Sequence, residues 1–154
     1  MLPMSQRKEA DISMINPDAL APLLKKENNN VMLLDLRSYP QYSMSRIHGA
    51  LHLCIPTTLL KRQSFTLQKL LETFVNETDR ERFAGWRDAE YITVYDTDSQ
   101  SSTASSATDT VKKFVKEGWR GHACCIQGNS SYSCIMTLLL TSLRWICCIC
   151  SRTP

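Results

Sequence analysis

Polar side chains that could do chemistry follow two predicted strands of this 154-residue chain. Asp35 comes directly after the continuous apolar run 31–34, which is typical of a strand buried on both faces, and Arg37 follows two residues later. Asp96 comes directly after the β-branched and aromatic run Tyr91–Tyr95, a second strong strand pattern. Because open α/β sheets place their polar sites at the carboxyl ends of strands, we expect a site at this edge.

Metal binding is one chemistry that these carboxylates could support. Asp96 and Asp98 are one residue apart, and such a pair can bind Mg²⁺. The serines that follow favour a simpler interpretation, in which the loop caps the next helix through hydrogen bonds to its first N–H groups. The closely spaced Cys147, Cys148 and Cys150 lack zinc-ligand spacing, and no histidine lies near them. We therefore predict no metal and no cofactor.

The elements that hold these side chains alternate between strands and helices. Asn16 and Pro17 are typical of a helix start, and Gly118 is typical of a helix end. The predicted order is helix 17–26, strand 31–34, strand 50–55, a helix that includes 70–75, a short helix within 76–86 capped by Asn76 or Thr78, strand 91–95, helix 104–117 and strand 122–126. Pro40 is expected to end the chain's first strand segment and to keep Tyr39 out of the helical region. This alternation predicts an α/β domain with a central parallel sheet.

The first half of the chain resembles a rhodanese-homology domain. That family reads D-x-R, then G-H-I-x-G-A, then a hydrophobic strand that ends near a proline. The matching residues are Asp35, Arg37, Ile47, Gly49, Ala50 and Pro56, whereas Ser45 and Arg46 stand where Gly-His is usual. The resemblance implies a three-layer rhodanese-like domain over residues 11–128, with helices on both faces of the parallel sheet. It also implies structural roles for Asp35, Arg37 and Gly49.

A catalytic rhodanese-like domain has a cysteine directly after the strand that ends in Val-Tyr. Here Asp96 occupies that position, and a carboxylate cannot carry sulfur as a persulfide. The resemblance therefore implies a catalytically inactive domain with no catalytic residue. The alternative is a sulfurtransferase of the thiosulfate:cyanide type that uses a displaced cysteine, although Cys54, Cys124 and Cys125 are all predicted to pack in the core.

A basic segment with apolar neighbours follows Pro56. Lys61 and Arg62 precede Phe65 and Leu67, so an extended peptide would place its cations toward an acidic partner surface. This segment resembles the docking motif that mitogen-activated protein (MAP) kinases recognise, and the kinase-interaction segment in the non-catalytic rhodanese domains of MAP kinase phosphatases. The amino-terminal domains of fungal Pyp-type tyrosine phosphatases are similar. The resemblance implies a MAP kinase partner, and the alternative is that the apolar residues cover the sheet.

Composition and charge restrict the other classes of function. The net charge of +3 is too slight to indicate nucleic-acid binding. Residues 1–10 are polar and predicted to be disordered, and they lack the apolar core of a signal peptide, so we expect a cytoplasmic or nuclear location with reduced cysteines.

The segment 129–154 is apolar and rich in cysteine, and its composition differs from that of the preceding domain. As a membrane span, residues 134–150 would be at the lower limit of length and would contain Arg144, so we do not expect an anchor. Palmitoylation of the clustered cysteines and a helix packed on the sheet are alternatives. We interpret the tail as aberrant or truncated, which leaves a non-functional gene fragment as a further possibility.

Overall fold

The computed structural model describes residues 12–15, 17–25, 30–47, 49–96, 106–126 and 145–147. The strands are β1 (Ile12–Ile15), β2 (Val31–Asp35), β3 (Ser45–Ile47), β4 (Leu51–His52), β5 (Tyr91–Tyr95), β6 (His122–Ile126) and β7 (Trp145–Cys147). The helices are α1 (Pro17–Lys25), α2 (Tyr39–Met44), α3 (Thr57–Leu60), α4 (Leu67–Glu72), α5 (Glu77–Ala84) and α6 (Ser106–Lys116). A 3₁₀ turn at Gly85–Asp88 follows α5.

Five parallel strands form the central sheet in the order β1-β6-β5-β2-β4. β2 and β5 lie side by side within it, and their register pairs Asp35 with Tyr95. The carboxyl ends of these two strands therefore meet at the edge where the sequence places the polar residues.

Two apolar cores cover the opposite faces of this sheet. Met32 and Leu34 of β2 belong to one core and Leu33 to the other, because successive side chains of a strand point to opposite faces. The larger core contains side chains of α4, α5 and α6, including the fully buried Phe114, and the smaller core contains Leu20 of α1. Helices thus cover both faces, and the predicted three-layer α/β fold is confirmed.

The sheet differs from the prediction at its two edges. β1 is not predicted from the sequence, yet it pairs in parallel with β6. Its four residues follow a polar stretch, so local propensity gives little signal and the partner strand decides the conformation. β4 is shorter than the predicted strand 50–55, since only Leu51 and His52 pair with β2.

Two local predictions are wrong. Cys54 is predicted to lie in the core but is exposed, because the chain leaves the sheet after β4. Tyr39 is predicted to lie outside a helix because it precedes Pro40, but it begins α2, where the Tyr42 amide donates to the Ser38 carbonyl oxygen at 3.0 Å. Pro40 is tolerated in this first helical turn, because an N–H at that position would have no helical partner.

The helix ends follow the sequence signals in two places and depart from them in one. The Asn76 side chain caps α5 by accepting a hydrogen bond from the Thr78 amide at 3.0 Å. Gly118 follows α6 with φ +99°, a left-handed conformation that favours glycine. Val75 is predicted on an apolar helical face, but α4 ends at Glu72 and leaves its side chain 99% exposed.

The tail contributes β7, which pairs antiparallel with β3. At these three positions the tail is a strand, so the alternative of a continuous helix over 134–150 is wrong there. The remainder of 129–154 lies outside the described residues, as do the predicted disorder of 1–10 and the proposed N-cap Asn16. No helix in the described ranges has the length and apolarity required to cross a membrane.

Candidate functional site

A buried ion pair lies at the carboxyl end of β2. Asp35 and Arg37 are 0% and 4% exposed. The Arg37 side chain donates from Nη2 to Oδ2 of Asp35 at 2.7 Å and from Nε to Oδ1 at 3.0 Å, and the Arg37 backbone N–H donates to Oδ1 at 3.0 Å. Charges this deeply buried are tolerated only when they are paired and hydrogen-bonded. The pair therefore fixes the chain conformation where it leaves the sheet.

Tyr95, the last residue of β5, connects this pair to the next strand. The Arg37 Cζ atom lies 5.2 Å from the centre of the Tyr95 ring. The Tyr95 hydroxyl accepts a hydrogen bond from the Ile47 backbone N–H at 3.4 Å. Burial, followed by the negative charge of Asp35, raises the pKa of Tyr95, so the phenol keeps its proton.

Aromatic side chains of α2 and β4 cover the same edge. His52 Nε2 donates to the Arg37 carbonyl oxygen at 2.9 Å, and its ring stacks on Tyr42 with 4.6 Å between ring centres. The Tyr42 hydroxyl donates to the Ala50 carbonyl oxygen at 3.3 Å. The exposed Tyr39 meets the His52 ring edge-on at 5.8 Å. These contacts pack α2 against the end of β4.

Gly49 makes the turn that precedes β4. Its φ of +83° lies in the left-handed region, where a side chain would be strained. Its carbonyl oxygen accepts a hydrogen bond from Arg82 of α5. The preceding residue, His48, lies outside the described residues.

Asp96 follows β5 directly and is partly buried. The sequence resemblance predicts that this residue stands where a catalytic rhodanese-like domain has its sulfur-carrying cysteine. Asp98, its predicted partner in a Mg²⁺ site, and the serines of the capping loop lie outside the described residues. Among the residues that the structure does describe, no group of three or more His, Cys, Asp and Glu side chains could hold a metal ion.

The cysteines of the described ranges differ in their surroundings. Cys124 and Cys125 are buried in β6. Burial raises the pKa of both thiols, and for Cys125, where the charge of Asp96 adds to burial, the pKa rises to about 11. Both thiols therefore remain protonated near neutral pH, and the thiol is a poor nucleophile compared with the thiolate. Cys54 is exposed and follows β4.

The segment after Pro56 is folded, so the prediction of an extended peptide is wrong. α3 is followed by a turn over residues 61–65, here called the basic turn, in which the Arg62 amide donates to the Leu59 carbonyl oxygen at 3.0 Å. Lys61 and Arg62 are exposed, and Phe65 is partly buried against the larger core.

Leu67, predicted as a docking residue, belongs to that core. It is 4% exposed and begins α4, because the helix turns its apolar side toward the sheet. A partner could therefore reach Lys61, Arg62 and the exposed part of Phe65 without unfolding, but not Leu67.

Lys113 of α6 holds the basic turn closed. Its Nζ donates to the Arg62 carbonyl oxygen at 3.0 Å and to the Phe65 carbonyl oxygen at 2.6 Å. The same ammonium lies 5.7 Å from the centre of the Phe65 ring. Burial, followed by the nearby Lys116, lowers the pKa of Lys113. The ammonium thus adds a second hydrogen bond to the Arg62 carbonyl oxygen, which also accepts the Phe65 amide at 3.2 Å, and binds the Phe65 carbonyl oxygen as well.

Tyr95 and Lys113 are not predicted as site residues from the sequence, and the reasons differ. The role of Tyr95 could be predicted from the sequence, since parallel pairing of β2 with β5 brings Tyr95, the last residue of β5, opposite Asp35. Lys113 gives no such signal, because 48 residues separate it from Phe65 and its role depends on how α6 packs.

The topology and the strand-end residues define a rhodanese-like α/β domain. A family model for the rhodanese-like domain matches residues 16–128, and the chain therefore belongs to the rhodanese-like family.

The chain is related to the rhodanese-like N-terminal regions of yeast tyrosine phosphatases. It is 28% identical over 109 residues to tyrosine-protein phosphatase 1 of Schizosaccharomyces pombe, a match that covers 70% of this chain and 20% of that protein. It is 36% identical over 73 residues to tyrosine-protein phosphatase 3 of Saccharomyces cerevisiae, covering 46% of this chain and 8% of that protein. The chain thus spans a fifth or less of these relatives.

Among solved structures, thiosulfate sulfurtransferase from Pseudomonas aeruginosa superposes with a TM-score of 0.47 at 15% identity, covering 94% of this chain and 21% of that chain.

Proposed function

We propose that this rhodanese-like domain is a catalytically inactive docking module that binds a MAP kinase, as the regulatory part of a tyrosine phosphatase that acts on such kinases. The observation that carries the proposal is the exposed pair of cations, Lys61 and Arg62, on an ordered turn. Within the described part of the chain, neither side chain forms an ion pair, so both charges are available to an acidic partner surface.

Residues at the strand ends and in β6 support the proposal that the domain is catalytically inactive. Asp96 stands where sulfur transfer requires a cysteine, and its carboxylate cannot form a persulfide. Cys124 and Cys125 are buried thiols with raised pKa values. The buried Asp35–Arg37 pair uses its hydrogen-bonding groups within the fold, and this arrangement is suited to structural support of the sheet edge.

The basic turn supports the docking half through its fixed shape. Lys113 and the turn's own hydrogen bonds hold the backbone in place, so binding need not order this segment at its full entropic cost. The exposed cations would accelerate association with an acidic surface and make the affinity sensitive to salt. Phe65 adds a partly exposed aromatic contact beside the charges.

Titration of a purified MAP kinase with the full chain tests the docking proposal. We expect the Lys61→Ala/Arg62→Ala variant to bind roughly tenfold more weakly, about 1.4 kcal/mol, because two interface charges are removed. The matched control is Lys116→Ala/Arg120→Ala, which also removes two positive charges, but from exposed positions outside the basic turn. We expect this variant to bind the kinase like the unaltered chain. Equal affinity for the unaltered chain and the Lys61/Arg62 variant would contradict the proposal.

A second candidate function is sulfur transfer by a displaced cysteine, and the exposure of Cys54 at the end of β4 is the observation that favours it. The test is formation of thiocyanate from thiosulfate and cyanide by the purified chain. If the domain is an inactive docking module, we expect no turnover above the uncatalysed rate. Turnover that Cys54→Ser abolishes and Cys124→Ser leaves intact would establish the sulfurtransferase instead.

A further inference from the structure

The basic turn also contains an exposed serine that two cations precede and an aromatic residue follows. Lys61 and Arg62 stand three and two residues before Ser64, and the aromatic Phe65 follows it. The Ser64 side chain is exposed, and no hydrogen bond to the described residues engages its hydroxyl. We propose that Ser64 is a phosphorylation site for a serine/threonine kinase that selects basic residues before its target, and that the phosphate weakens docking by the same turn.

The chemistry of the step requires only Mg-ATP and such a kinase. The Ser64 hydroxyl oxygen attacks the γ-phosphorus of ATP, an O–P bond forms, and the bond to the β-phosphate oxygen breaks to release ADP. The hydroxyl proton passes to the catalytic carboxylate of the kinase. Acidic groups in the kinase peptide site would pair with Lys61 and Arg62, and an apolar pocket would accept Phe65.

The closed turn limits access to Ser64. A substrate segment must extend to enter a kinase active site. The basic turn resists extension because the Phe65 amide donates to the Arg62 carbonyl oxygen at 3.2 Å, and Lys113 Nζ donates to the carbonyl oxygens of both Arg62 and Phe65. Extension breaks these contacts and withdraws Phe65 from the larger core. Phosphorylation therefore proceeds through a locally opened state, and its rate follows the population of that state. Lys113 is a positioning residue that keeps the population low.

The phosphate would reverse the charge relationship on which docking depends. Phosphoserine carries about −1.5 to −2 charges near pH 7, enough to cancel the two cations that precede it. An acidic partner surface would then be repelled instead of attracted. This part of the inference rests on the proposed docking function, whereas the modification of Ser64 does not.

The first experiment incubates the full chain with Mg-ATP and the catalytic subunit of a cyclic-AMP-dependent protein kinase, which selects serines preceded by basic residues. Mass spectrometry then locates the phosphate. We expect phosphate at Ser64, none at that position in Ser64→Ala, an unchanged yield in the neighbouring control Thr66→Ala, and a rate at least tenfold lower in Lys61→Ala/Arg62→Ala. Incorporation elsewhere with Ser64 unmodified would overturn the proposal.

The second experiment compares two lysines of α6. Lys113→Met removes the contacts to the turn, so we expect the initial rate of Ser64 phosphorylation to rise about fivefold, as loss of a charge-assisted hydrogen bond would allow. Lys112→Met, at an exposed position of the same helix, should leave the rate unchanged. Equal rates for the two variants would refute the role of Lys113 in restraining the turn.

The third experiment measures MAP kinase affinity before and after stoichiometric phosphorylation. We expect roughly a tenfold weaker affinity after modification, similar to the loss in Lys61→Ala/Arg62→Ala. If Ser64 is phosphorylated but the chain does not bind the MAP kinase in either state, the docking function is refuted and the modification site is supported. If the chain binds the MAP kinase but Ser64 is not phosphorylated, the modification site is refuted and docking is supported. Unchanged affinity on phosphorylation would refute the regulatory link.

Discussion

The buried ion pair at the end of β2 allows the sharpest prediction about stability. Truncation of either member by Asp35→Ala or Arg37→Ala removes a bidentate contact at 2.7 and 3.0 Å and leaves the other charge inside the fold. Loss of one partner of a buried pair costs about 3–5 kcal/mol. Because a typical domain is stable by about 5–15 kcal/mol, each variant should be severely destabilised.

The double variant separates pairing from packing. In Asp35→Ala/Arg37→Ala no charge remains buried without its partner, so the loss of unfolding free energy should be smaller than the sum of the two single losses. A coupling of about 2 kcal/mol or more is expected for groups in direct contact.

Urea unfolding monitored by tryptophan fluorescence measures these free energies, since Trp86 and Trp119 are buried in the core. The matched control is Glu77→Ala, which breaks the exposed Arg80–Glu77 pair at 3.3 Å. Exposed pairs contribute about 0–1 kcal/mol, so this loss should be small. Losses below 1 kcal/mol for Asp35→Ala, or strict additivity in the double variant, would refute a structural role for the pair.

Two further predictions concern the cysteines. Brief alkylation followed by peptide mapping should label Cys54 well before Cys124 and Cys125, because Cys54 is exposed and the other two thiols are buried with raised pKa values; comparable labelling of all three would contradict this burial. Stability should fall as the pH rises from 9 toward 11, since the Cys125 pKa is raised to about 11 and only the unfolded chain loses this proton in that range. The expected loss of unfolding free energy over this pH range is about 2 kcal/mol, and the loss should be smaller in Cys125→Ala. Identical pH profiles of stability for the unaltered chain and Cys125→Ala would contradict this role of Cys125.

The sequence predicts the centre of the fold well because its strongest signals lie there. The apolar run of β2, the β-branched run of β5 and the turn at Gly118 each belong to one local segment with a clear pattern. β1 is missed because four residues with ordinary propensity form a strand only in the presence of β6. Cys54 is misplaced because an alternating pattern does not show where pairing with β2 ends.

The candidate site likewise has parts that the sequence predicts and a part that it does not. The positions of Asp35, Arg37 and Asp96 at strand ends follow from the strand prediction, and the parallel register brings Tyr95 beside them. The folded state of the basic turn does not follow from its sequence, because it depends on Lys113, which lies 48 residues from Phe65.

Hydrogen exchange on the full chain, measured with and without a bound MAP kinase, locates the surface that the kinase covers. We expect slower exchange for the backbone amides of residues 57–66, the part of the chain that contains α3 and the basic turn, because the bound kinase would cover Lys61 and Arg62. Little change is expected at the carboxyl edge of the sheet near Asp96. Slower exchange confined to that edge, or no change anywhere at saturating kinase, would contradict docking through the basic turn.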